Sequence, residues 1–186
     1  MKTLRFLVIS TIPLLILSCT QDWDEIVVSS PDYKLQLIFN LENGVPSYKL
    51  NRNGKHLILE SHMGFKLNNL PSLDSNFILL DKTIRSFDEV WEQPWGEVKE
   101  IRNNYNELKV FLREAQDSER KLHIVFRIFN DGLGFRYEFP EQEFLDKFQI
   151  TEEKTQFVLP SEEKVWWIPA YMPERYEYLY QKTELS

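Results

Sequence analysis

Arg127-Ile128-Phe129-Asn130-Asp131-Gly132-Leu133-Gly134-Phe135-Arg136-Tyr137-Glu138-Phe139-Pro140 is the stretch that decides the fold. Apolar residues alternate on both sides of an Asp131-Gly132 turn, the strongest short-range signal for a β-hairpin. Side chains two apart on a strand share a face. Leu122, Ile124, Phe126 and Ile128 therefore line one face on the way in, and Leu133, Phe135, Tyr137 and Phe139 line one face on the way out. Such a hairpin predicts a β-sheet protein.

Outward from the hairpin, strand patterns recur at short intervals. They cover Tyr33 to Phe39, Val45 to Leu50, His56 to Glu60, Met63 to Leu67, Phe77 to Phe87, Val98 to Arg102 and Leu108 to Arg113. Beyond the hairpin they continue at Phe148 to Ile150, Thr155 to Leu159 and Val165 to Ile168. Asn43-Gly44 and Asn53-Gly54 place residues tolerant of positive φ between apolar runs, so residues 33–60 read as successive hairpins. Pro46 and Pro71 cannot donate to a ladder and are expected at edges or in loops. No segment holds a helical period over three turns, and the tail from Pro173 to Leu185 has room for one short helix at most. Many short strands separated by turn signals predict an all-β, antiparallel β-sandwich.

The amino terminus has a different character. Lys2 and Arg5 precede an apolar run from Phe6 to Leu17, and Leu17-Ser18-Cys19 follows. A basic start, a short apolar core and a small residue before the cut describe a secretory signal peptide over residues 1–18. Its apolar run of about a dozen residues falls short of the roughly 20 that span a bilayer. Cys19 is the only cysteine of the 186-residue chain, which excludes an internal disulfide. It stands where bacterial lipoprotein signals place the residue that is lipidated. The expectation is an exported, outer-membrane-anchored lipoprotein, periplasmic or at the cell surface, held through its lipid only. Asp22, Asp24 and Glu25 mark residues 19–28 as an acidic tether.

Residues 1–18 hold Lys2 and Arg5 and no acid, so the remainder carries 20 basic against 29 acidic residues, a net charge of −9. That balance disfavours nucleic acid as a partner and is compatible with neutral sugars. The roughly 160 residues after the tether suit one domain with a sizeable core.

Three patches in order resemble the amino-terminal sandwich domain of glycoside hydrolase family 97. They are Trp95-Gly96-Glu97 with Glu100-Ile101-Arg102-Asn103 and Tyr105-Asn106-Glu107-Leu108, then the Asn130-Asp131-Gly132 hairpin, then Trp166-Trp167-Ile168-Pro169-Ala170 with Tyr176-Glu177. The likeness covers residues 29–186 and implies a sandwich of aldose-mutarotase-like topology, incomplete at its carboxy end. It implies a parent activity on α-glucosides or α-galactosides. In the family the catalytic carboxylates lie on a following (β/α)8 barrel, and calcium is expected in the complete enzyme, with one glutamate ligand in a His-Glu-Ala segment. Here His56, His62 and His123 are followed by Leu57, Met63 and Ile124, so no catalytic residue, metal ligand or cofactor is assigned.

The remaining chemistry is that of surfaces. Glycoside hydrolysis needs two carboxyl groups that converge across the bond. The pairs Asp88-Glu89, Glu152-Glu153 and Glu162-Glu163 are adjacent in sequence, and neighbours on a strand point to opposite faces. They read as solvated charge. The three histidines do not match a zinc spacing. The candidate surface for carbohydrate, or for the catalytic barrel, is aromatic: Trp166, Trp167, Tyr171, Tyr176, Tyr178 and Tyr180. Rings with polar tips suit both occupants. Packing within one sheet, with one tryptophan in the core and the other over an edge, is the competing reading. Trp91, Trp95 and Arg102 form a second cluster, with Trp95 and Gly96 expected to pack in the sandwich body. Arg102 and Arg136 are expected to pair with Glu97 or Glu138. A non-catalytic module of a family 97-like enzyme is thus expected. The alternatives are a free-standing carbohydrate-binding lipoprotein and a docking module for a separate barrel.

Overall fold

The computed structural model describes residues 25–115, 119–161, 163–169 and 177–185. Two antiparallel four-stranded meanders form the body. The first is β1 (Ile26–Ser29), β2 (Leu35–Glu42), β3 (Val45–Arg52) and β4 (Lys55–His62). A short β5 (Phe65–Leu67) leads to the second, made of β6 (Phe77–Glu92), β7 (Glu100–Glu114), β8 (Lys121–Ile128) and β9 (Leu133–Glu138). β10 (Ile150–Glu153) pairs with β5, and β11 (Lys164–Trp167) pairs with β12 (Gln181–Glu184).

The alternation in the sequence explains the packing. Leu35, Leu37 and Phe39 of β2 and Tyr48 of β3 face Leu108, Val110 and Leu112 of β7 and Leu122, Ile124, Phe126 and Ile128 of β8, all buried in one core. Phe126 lies at its centre, with ring centroids 6.1 Å from Phe39, 6.0 Å from Tyr48 and 5.9 Å from Phe135. Leu133, Phe135, Tyr137 and Phe139 pack against the same core. The two sheets are also stitched at one end by polar groups. Asn106 Nδ2 donates to the Ser29 carbonyl at 2.7 Å, and the Asp32 amide donates to Asn130 Oδ1 at 2.9 Å.

The turns divide into two kinds. Asn43-Gly44 (φ 51° and 77°) and Asn53-Gly54 (φ 49° and 78°) are the two-residue, left-handed hairpin turns expected. The β8–β9 connection differs from the expectation. Ile128 pairs with Leu133, the Phe129 amide donates to the Gly132 carbonyl at 2.8 Å, and neither Gly132 nor Gly134 has a left-handed φ. The turn is thus centred on Asn130-Asp131, and glycine is not what makes it possible.

Other expectations are corrected by tertiary pairing. Ile26–Ser29, overlapping the expected tether, is a strand, with Ile26 and Val28 in the core. Tyr33 (φ 61°) is in a turn, and its strand begins at Leu35. The two strands expected at 98–102 and 108–113 are the single strand β7, because β6 pairs along its whole length. Thr155 to Leu159 is no regular strand but runs along β4, the Leu59 amide bonding to the Val158 carbonyl and the Gln156 amide to the His62 carbonyl. The tail, where a short helix was the most expected, contains β12. Pro46 is inside β3, at neither a sheet edge nor a loop. Its carbonyl accepts from the Met63 amide, so its nitrogen points the same way, past the last paired residue of β4 at His62.

Candidate functional site

The expected aromatic surface is built on β11 and β12. Their register sets Trp166 opposite Lys182 and Trp167 opposite Gln181. Neither tryptophan is core: Trp166 is 62% exposed and Trp167 39%. The competing reading, with one ring inside, therefore fails. The pair does not form one platform either, since neighbours on a strand project to opposite faces. Lys182 Nζ sits 4.8 Å from the Trp166 ring centre, a cation–π contact that occupies one face of the indole. Leu179, 90% exposed, and Tyr180 lead into β12, and Tyr178 is half-buried. Tyr171 and Tyr176 lie outside the described residues, as do Cys19 and Glu162.

The second cluster is placed differently from the expectation. β6 and β7 pair far beyond Ile128, where β8 stops covering β7, and so continue as a two-stranded ribbon through Trp91↔Ile101. Trp95 lies in the connecting loop and is 84% exposed, so it does not pack in the sandwich body. Gly96 there has φ 125°, a conformation open to glycine, with the Gln93 side chain where a Cβ would stand. Arg102 forms a forked pair with Asp88 rather than Glu97, Nε to Oδ1 at 2.8 Å and Nη2 to Oδ2 at 2.7 Å. The guanidinium holds the Asp88 carboxyl below the usual range. Arg136 bonds to Glu138 at 2.9 Å, but along β9 rather than across strands, and the pairing from another strand comes from Lys109 Nζ, which reaches the same carboxylate at 2.6 Å.

Sequence reasoning missed a polar cleft of about 680 Å³ beside β10, lined in part by His62, Asp74, Glu153, Lys154 and Gln156. Its cation is paired, Lys154 Nζ to Asp74 Oδ2 at 2.6 Å, and Asp74 raises the ammonium's pKa. Thr155 Oγ1 donates to Glu153 at 2.7 Å and lies 2.6 Å from the Tyr137 hydroxyl. Burial pushes the phenols of Tyr137 and of Tyr48, which donates to the Gln156 carbonyl at 2.9 Å, up to about 12. These phenols stay protonated near neutrality and act as fixed donors. The only signal for the cleft in the sequence was the polar run from Glu152 to Gln156, and that reads equally well as surface.

The residues that carry the family likeness have structural positions. Tyr105 stacks on Phe87 with ring centres 4.8 Å apart, Asn106 ties the sheets, Glu107 accepts from Arg127 Nε at 2.9 Å, and Leu108 is core. Arg127 in turn lies 4.7 Å from the Tyr105 ring centre. Among the described residues no three His, Cys, Asp or Glu side chains converge as a metal cage, so calcium is assigned no ligand and enters no step.

The described residues form an all-β sandwich whose motif residues hold strands and sheets together, with exposed aromatic residues on and beside β11 and β12. The family model described as Glycosyl-hydrolase 97 N-terminal matches residues 28–186, and the chain belongs to that family. A Glycoside Hydrolase Family 97 enzyme from Pseudoalteromonas sp. strain K8, solved in complex with panose, superposes with a TM-score of 0.80 at 34% identity over 86% of this chain. The enzyme from the same strain in complex with acarbose gives the same values. A β-arabinopyranosidase matches with a TM-score of 0.68 at 30% identity over 76% of this chain. The chain spans 24% of the length of the first two and 22% of the third.

Proposed function

We propose that this domain is a non-catalytic module of an exported, lipid-anchored enzyme that hydrolyses α-glucosides or α-galactosides, and that the β11–β12 surface packs against the catalytic part. The supporting observation is the likeness to the Pseudoalteromonas enzyme, which is bound to panose in one structure and acarbose in another, while this chain matches about a quarter of it. Within the domain, the ion pairs and tyrosines of the polar cleft are engaged with one another. Asp74 is paired with Lys154, and Glu153 accepts from Thr155.

The interface reading is favoured over direct sugar binding by the Lys182 ammonium, which takes one face of Trp166. Titration of the purified chain with panose separates the two. An interface gives no binding heat for the native chain, whereas millimolar binding abolished by Trp166→Ala would establish a carbohydrate site. Anchoring rests on Cys19 and the apolar run before it. Metabolic labelling with a palmitate analogue should mark the native chain and leave Cys19→Ser unmarked; label retained by the variant would contradict the anchor.

A further inference from the structure

We propose that β6 is a self-association strand, through which two copies of this chain join their second sheets edge to edge. β6 is the edge strand of its sheet, and from Asp81 to Glu92 it is bonded, among the described residues, to β7 on one side only. The backbone bond from Gln93 to Lys99 marks the pair at the mouth of the ribbon as hydrogen-bonded. Register with β7 is unbroken from Asp81 to Glu92, and antiparallel ladders alternate. The odd residues therefore turn their backbone groups toward β7. Lys82, Ile84, Ser86, Asp88, Val90 and Glu92 turn theirs to the open edge. Among the described residues, the Lys82 amide alone of these has a partner there, Asp81 Oδ1 at 2.8 Å.

A long open edge is a template for another strand, and charged side chains usually deter the wrong one. Here they specify one partner. In an antiparallel pairing of β6 with itself, outward-bonding residues must oppose each other, so the two-fold axis falls on a residue. Centred on Phe87, Arg85 opposes Glu89, Lys82 opposes Glu92, Ile84 opposes Val90, and Phe87 meets its own copy. Both cations meet carboxylates, and the two exposed aliphatic residues, Ile84 at 54% and Val90 at 60%, cover each other. One residue earlier, Ile84 would face Asp88. One residue later, Asp88 would meet Asp88 and Ile84 would face Glu92. Centred on Arg85, two arginines collide. Within one chain neither Lys82 nor Arg85 enters an ion pair among the described residues, so the register also supplies partners they otherwise lack.

This inference is independent of the function proposed for β11–β12. At the centre of the pairing Phe87 is a non-hydrogen-bonded position, where opposed Cα atoms lie about 4.5 Å apart, within the span a disulfide bridges. The test uses the full chain, exported in a bacterial host. Phe87→Cys should give a covalent dimer on non-reducing gels, and Thr83→Cys, whose partner is Trp91, should not. In the Phe87→Cys background, Glu89→Arg should lower the dimer yield roughly tenfold or more, by setting arginine against arginine twice. The swap Arg85→Glu with Glu89→Arg should restore it. Sedimentation of the chain without added cysteines should give twice the mass of the processed chain, and Glu89→Arg the single mass. A single mass for the native chain, or a dimer indifferent to Glu89→Arg, would overturn the proposal.

Discussion

At the scale of single residues, a buried ion pair that no sequence pattern announces ties two parts of the fold together. Glu114 and Arg120 are both buried, with Arg120 Nε 2.6 Å and Nη2 2.5 Å from the two carboxylate oxygens. The same guanidinium donates to the Pro71 carbonyl at 2.9 Å and the Ser72 carbonyl at 3.2 Å, pinning the β5–β6 connection to the end of β7. Removing one partner leaves an uncompensated buried charge, so Arg120→Ala is expected to cost about 3–5 kcal/mol in chemical denaturation. Arg120→Lys should recover only part of that, because a lysine cannot reproduce the fork.

His123 makes a different residue-scale prediction. Its ring meets Phe111 edge-on with centres 4.7 Å apart, and desolvation, with Lys109 and Lys121 nearby, lowers its pKa against the opposing pull of Glu138. A histidine whose folded pKa is depressed binds its proton more readily when unfolded. Its contribution is therefore present above the unfolded value of about 6.5 and is lost as pH falls through the folded one. The melting temperature should fall from pH 7 to pH 5, and His123→Phe should flatten that part of the curve. An unchanged pH profile in the variant would place the acid sensitivity elsewhere.

At the scale of elements, two glycines of similar sequence context should behave oppositely. Gly44 has φ 77°, and a Cβ there would lie 2.9 Å from the Phe77 nitrogen, whose amide donates to the Gly44 carbonyl. Gly44→Ala should therefore cost at least the roughly 1–2 kcal/mol of a left-handed L-residue. Gly132 has no left-handed φ, and a methyl group added there would meet no atom within 4 Å, so Gly132→Ala should stay within about 0.5 kcal/mol of the native chain. Thermal melts of the pair test the claim that the β8–β9 turn is centred on Asn130-Asp131.

The same elements show which features were legible in the sequence. The apolar alternation of β2, β8 and β9 and the Asn-Gly turns were readable, because side-chain period and turn chemistry are local properties. The reach of β6 and β7 was not. Asn103, Asn104 and Asn106 interrupt the apolar pattern of β7, so one strand read as two, and only pairing with β6 makes it continuous. Trp95 read as packed because a ring in a recurring motif usually is, and local sequence cannot tell the tip of a ribbon from the body of a sheet. In the aromatic surface, the residues were legible as a group and strand alternation divides them between two faces, but the partner strand β12, which sets Lys182 against Trp166, was not legible.

At the scale of the whole molecule, the proposed role is that of a non-catalytic module. Charge pairs such as Glu114–Arg120 and Asp74–Lys154 fasten strands and loops, and exposed rings include Trp166 on β11, Tyr180 before β12 and Trp95 at the β6–β7 tip, with Tyr33, Phe144 and Phe157 elsewhere on the surface. The most direct test is an assay of the purified chain on nitrophenyl α-glucoside and α-galactoside, with calcium and with chelator. A non-catalytic module releases no nitrophenol above the blank under either condition. Calcium-dependent release, abolished by the chelator, would contradict that role and place a working active site within these residues.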